Sequence, residues 1–88
     1  MDKPNTILLQ PGEITEVVDG DAILGLQNRG MYRIWYSWLP NGSDPAKTDI
    51  KYFIGPNSPQ GMPIGIQLDA GDTLYAYAEA PIPCVLTY

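Results

Sequence analysis

The chain carries ten acidic residues, one cysteine and no histidine, and that inventory narrows the chemistry open to it. Without an imidazole there is no Ser-His or Cys-His pair to activate a nucleophile. Cys84 opens the apolar run Cys84-Val85-Leu86 with no basic neighbour, so it reads as a small core hydrophobe. Paired carboxylates can hydrolyse a glycosidic bond, but such pairs work in clefts that an 88-residue domain can hardly build. Zinc finds almost no ligands. Asp19, Asp21, Asp69 and Asp72 offer oxygens for calcium, which takes about six to eight. Their spacing follows no calcium loop, and they stand in the turn-like runs Asp19-Gly20-Asp21 and Asp69-Ala70-Gly71-Asp72. They read as turn residues whose carboxylates satisfy backbone N–H groups. No catalytic residue, metal or cofactor is therefore expected.

The aromatic residues are the remaining candidates. Six Tyr, two Trp and one Phe fall on or beside period-two segments. Core packing is one reading of them. A contact surface is the other, because Tyr and Trp are enriched at interfaces. If Leu74, Ala76 and Ala78 face the core, Tyr75 and Tyr77 face outward together. In the run from 31 to 39, Met31, Arg33, Trp35 and Ser37 share one face and Tyr32, Ile34, Tyr36 and Trp38 the other. Large aromatics on both faces imply burial on both sides. The candidate interface residues are thus Tyr75, Tyr77, Trp35 and Arg33. A sugar-stacking platform would need polar groups around the rings, a grouping that the linear order does not display.

The elements that would hold these residues are strands. Ile64, Ile66 and Leu68 alternate with Gly65 and Gln67, and the same period governs 73–79. Further strands are expected at 4–10, 14–18, 22–27, 31–39, 49–55 and 84–88. Gly25 is a possible bulge, and Asp19-Gly20-Asp21 has the form of a hairpin turn. No apolar stripe at helical spacing outlasts one turn, and nine Pro and nine Gly punctuate the chain. About eight short strands predict a small all-β domain: an antiparallel β-sandwich or a jelly-roll-like fold. One internal echo links Leu9-Gln10-Pro11-Gly12-Glu13 to Leu68-Asp69-Ala70-Gly71-Asp72. It reads as two similar turns, with two equivalent corners of a two-sheet fold as the alternative.

The bulk numbers set further limits. Residues 1–88 make one domain, which buries only roughly 60% of its unfolded surface. Lacking a disulfide or an evident metal, such a domain is expected to gain stability as a homo-oligomer. A net charge of −5 argues against nucleic acid. No apolar run has the roughly 20 residues of a membrane span. Met1-Asp2-Lys3-Pro4 opens no apolar stretch long enough for a signal peptide, so none is expected. The product is expected to stay in the cell that makes it, unless it leaves as part of a larger particle. Asn41-Gly42-Ser43 fits a glycosylation pattern but is read as a turn.

The run from Leu68 through Asp72 to Ala78, a Pro-containing loop and the last strand Val85-Leu86-Thr87-Tyr88 resemble the closing hairpins of small virion proteins of tailed bacteriophages. These are head decoration (cement) proteins and small tail or fibre modules, commonly β-sandwiches or jelly rolls and often trimers. The resemblance implies a non-enzymatic capsid decoration protein, located in the virion after synthesis in the host cytoplasm. Its partners would be the major capsid protein or another virion protein, with a trimer as the oligomer. The alternatives are a receptor- or glycan-binding module of a tail or fibre, and a small acidic inhibitor of a host protein.

Overall fold

The computed structural model describes residues 6–57 and 64–88. Eight strands follow one another: β1 (Thr6–Leu9), β2 (Thr15–Asp19), β3 (Ala22–Asn28), β4 (Arg33–Pro40), β5 (Tyr52–Ile54), β6 (Ile64–Leu68), β7 (Asp72–Glu79) and β8 (Cys84–Thr87). A single 3-10 turn, Lys47–Asp49, is the helical element among the described residues. The first sheet has the order β1-β8-β3-β6 and the second β2-β7-β4-β5. The pairs β1/β8, β2/β7, β3/β6 and β4/β5 are all antiparallel. The first half of the chain thus pairs with the second like one long hairpin, wound so that its strands alternate between sheets. That topology is a jelly roll.

Alternation makes the core. Leu9, Leu26, Leu68 and Leu86 from the first sheet meet Ile34, Ile54, Leu74 and Ala76 from the second, and all are nearly inaccessible. Each large aliphatic chain so buried contributes about 1.5–3 kcal/mol. The molecule is 18 Å through its short axis, two sheets about 10 Å apart with their side chains. Outward positions on the first sheet are Thr6, Leu8, Val85, Thr87, Ile23, Gly25, Gln27, Gly65 and Gln67.

The echo between Leu9–Glu13 and Leu68–Asp72 is a pair of equivalent corners, the alternative that the sequence reading placed second. Each carries the chain from the first sheet to the second. Each closes a four-residue turn: the Glu13 N–H donates to the Gln10 carbonyl at 3.2 Å, the Asp72 N–H to that of Asp69 at 3.1 Å. Leu9 and Leu68 anchor the corners in the core. Asp19-Gly20-Asp21 does not make a hairpin, because β2 and β3 lie in different sheets. Instead its backbone grips the second corner: Gly20 N–H donates to Asp72 O at 2.7 Å and Asp21 N–H to Asp69 O at 3.1 Å. Gly25 is not a bulge. It pairs in register with Gly65, and the irregularity falls on edge strand β2 between Glu16 and Val18.

Two strands are shorter than their composition predicts. The run 31–39 begins as strand only at Arg33, because the Asn28 side chain holds the preceding turn. Its amide nitrogen donates to the carbonyls of Tyr32 at 2.6 Å and Gly55 at 3.1 Å, and its carbonyl accepts from Gly30 N–H at 3.0 Å. Asp49 belongs to the 3-10 turn, where its carboxylate accepts the Ala46 N–H at 2.9 Å. The expected loop after Pro56 lies partly outside the described residues.

Cys84 faces the core from β8 and is buried, and burial pushes its thiol pKa up. A raised folded-state pKa favours the protonated fold, so stability is full below the thiol's ordinary value and falls as pH rises through the raised one. Alkylation by a thiol reagent at mildly alkaline pH should therefore be slow in native protein and fast in denaturant. Equal rates would place Cys84 at the surface.

Candidate functional site

The outer face of the second sheet brings aromatic and charged side chains together. Register puts Trp35 of β4 between Phe53 of β5 and Tyr77 of β7, a row of rings across three adjacent strands. Trp35 and Phe53 meet at 5.2 Å between centroids, tilted by 53°, and Trp35 and Tyr77 at 6.3 Å, nearly parallel at 11°. Next along the strands, Arg33 pairs with Glu79. The Trp35 indole N–H donates to Glu79 Oε2 at 2.7 Å, and Arg33 approaches the same oxygen at 3.9 Å. The Arg33 guanidinium lies over Phe53 at 4.5 Å and Trp35 at 5.8 Å. Burial, then the Glu79 charge, pushes the Tyr77 phenol pKa up.

A second cation reaches the row from the loop after β4. Lys47 Nζ stands 5.4 Å from the centre of the Tyr77 ring. It passes close to Gly12, whose φ is +67° and where a Cβ would lie 3.1 Å from Lys47 Nζ. Gly12 is also tied to β7 by its N–H, which donates to Ala78 O at 3.0 Å. Cations over aromatic faces are worth about 0.5–1 kcal/mol each at exposed sites. They hold the rings and charges in one arrangement.

Three of the four residues expected at an interface, Arg33, Trp35 and Tyr77, stand together on this face. The fourth does not. Tyr75 is 7% exposed, and its hydroxyl donates to the Ser43 carbonyl at 3.2 Å. The outward patch of Tyr75 with Tyr77 is thus corrected: the chain's own loop after β4 folds back over that end of the face. Ser37, paired with Tyr75, is buried with it. On the outer side of β4 the burial expected on both faces is met only at Ser37, under the chain's own loop; Trp35 is half-buried and Arg33 exposed. Phe53, Glu79 and Lys47 were not singled out in the sequence; the polar grouping around the rings exists only once the strands pair. A second cluster lies at the β5 edge, where Tyr52 contacts Tyr36 at 5.7 Å and Trp38 at 5.4 Å.

Among the described residues no group of three or more His, Cys, Asp or Glu side chains is placed to hold a metal ion. Among them, too, no helix is long and apolar enough to cross a membrane. The chain matches no protein-family model, no curated protein and no solved structure.

Proposed function

We propose that the chain is a non-enzymatic virion structural protein, a capsid decoration protein that docks on the assembled shell through the outer face of its second sheet. The observation that carries this reading is the row Phe53–Trp35–Tyr77 with Arg33, Glu79 and Lys47 ordered around it. Phe53 is half exposed, and the Arg33 and Glu79 side chains are exposed as well. Trp, Tyr and Arg dominate the binding energy of protein interfaces, and here they project from a rigid sheet. The jelly roll is a fold that viral capsid domains use, which supports the virion reading by analogy, beside the resemblance of the closing hairpins. A protein of this kind stabilises a shell by binding the assembled form and not the free subunits.

A glycan-binding tail or fibre module is the second reading. The Glu79 carboxylate beside the Trp35 ring favours it, because sugars need both a stacking face and hydrogen-bond partners. Arg33 over Phe53 and Trp35, and Lys47 over Tyr77, weigh toward a protein partner, since they occupy ring faces that a sugar would use. Co-sedimentation separates the two. Purified protein added to shells that lack it should pellet with intact shells and not with dissociated shell subunits. Failure to pellet with shells, together with retention on a polysaccharide matrix, would move the assignment to the glycan reading.

A further inference from the structure

The outer face of the first sheet is unused by that reading, and none of its outward strand positions is charged, although the chain carries a net charge of −5. Along β3 and its flanks the odd-numbered residues form a stripe: Asp21, Ile23, Gly25, Gln27, Arg29. Acid and base stand four residues either side of Gly25, and an apolar residue and an amide stand two either side. Ile23 is 82% exposed, an apolar knob on the Asp21 side of Gly25. Asp21 and Ile23 line one shallow hollow together with Gln67, and the Arg29 guanidinium reaches the Gln27 side chain at 3.4 Å, so both charges border the same face. At the Arg29 end lies an apolar groove of about 550 Å³, formed by Thr87, Val85, Ile82 and Met31, with Arg29 the one charged residue along it among the described residues. Between knob and groove, Gly25 pairs with Gly65, and a Cβ at Gly65 would meet nothing within 4 Å.

We infer that this face binds a second copy of the chain across a two-fold axis lying in the face near Gly25. The stripe is its own complement. Such an axis sets each Ile23 opposite the other copy's Gln27, about 13 Å along the strand from its own position and beside Thr87, where the groove begins. It sets each Asp21 opposite the partner copy's Arg29, so the exposed charges at the rim attract. The glycine pair leaves the centre flat, which lets two sheets approach closely. Interface centres are depleted in charge, and two copies of a strongly acidic chain meet at least cost where neither must desolvate a carboxylate. The broad side of the molecule, 34 by 31 Å, has room for the roughly 800 Å² per partner of a stable complex. A self-complementary face closes at two copies, so the assembly is a dimer where the phage resemblance implied a trimer. The inference does not rest on the virion reading.

The test is mass in solution by sedimentation equilibrium from low to high micromolar concentration. The parent should be a dimer. Ile23→Glu should raise its dissociation constant by about tenfold or more, since a carboxylate held against the facing uncharged sheet would lose water. Arg29→Asp should weaken it by about tenfold through like charges at the rim. Adding Asp21→Asn to Arg29→Asp should recover part of that loss, Asn being tolerated at the left-handed φ of +48° found at Asp21. All three side chains are exposed, so circular dichroism and melting of the monomers should match the parent's. A monomeric parent, a trimer, or a dimer indifferent to Ile23→Glu and Arg29→Asp would each overturn the inference.

Discussion

Replacing Asn28 by Ala is expected to cost about 2–4 kcal/mol of folding stability. Asn28 is 1% exposed at the end of β3. Its amide nitrogen lies within 3.3 Å of the carbonyls of Tyr32, Ile54 and Gly55, and its carbonyl takes the Gly30 N–H. One side chain therefore joins the β3–β4 turn to the end of β5, across the two sheets. Alanine would leave buried donors and acceptors without partners, and each such loss costs the full desolvation of the group. For a domain this size the melting temperature should fall by about 10–25 °C. Asp at the same position keeps an acceptor for Gly30 but loses the donor, so it should be nearly as damaging. A fall of only a few degrees for Asn28→Ala would mean that water replaces the amide and that the turn is held elsewhere.

The second large effect concerns binding. On the proposed reading, Trp35→Ala should weaken attachment to the shell by about 30-fold or more, the 2 kcal/mol typical of a central aromatic anchor. Trp35 is the middle ring of the row and the donor to Glu79, so its loss also frees Arg33 and Glu79 from their positions. Trp35→Phe keeps a ring but loses the indole N–H, and should fall between parent and alanine. Melting curves separate a binding loss from a folding loss. Tyr75→Phe is the informative contrast. It removes only the hydroxyl that bonds Ser43, so it should cost about 0.5–1.5 kcal/mol of stability and leave attachment unchanged.

The pattern of strands was written in local alternation. Period two at 64–68 and 73–79, with turn residues between, was enough for an all-β fold of about eight strands. Even the corner geometry left a trace, in the repeat of Leu, Gly and acid at Leu9–Glu13 and Leu68–Asp72. What the chain hid was non-local. Trp35 and Tyr77 are 42 positions apart, and nothing in either segment announces that β4 and β7 pair with these two opposite each other. Burial of Tyr75 depends on a polar loop folding back over a sheet, an event with no hydrophobic period to mark it. Asn28 looked like any turn residue, because its amide's partners, Ile54 and Gly55, lie far along the chain. The assignment of Asp19-Gly20-Asp21 to a hairpin failed for the same reason: the turn chemistry was right, but the next strand belongs to the other sheet.

The two proposed contacts would fall on different faces of the domain. On the outer face of the second sheet Arg33, Glu79, Trp35, Tyr77 and Phe53, with Lys47 reaching over Tyr77 from the turn after β4, form a charged and aromatic face. The first sheet is uncharged and bordered by opposite charges at the two ends of β3. Attachment and self-association would then use opposite sides of the sandwich, and neither would block the other.

The central claim, that the chain is a part of a virus particle, is tested most directly by counting it there. Quantitative protein composition of purified virions should show the chain in many copies per particle, in proportion to the shell protein. A few copies per particle would contradict decoration of the shell and favour a tail or fibre module. Its absence from particles, with the protein abundant in the infected cell, would contradict the virion account altogether.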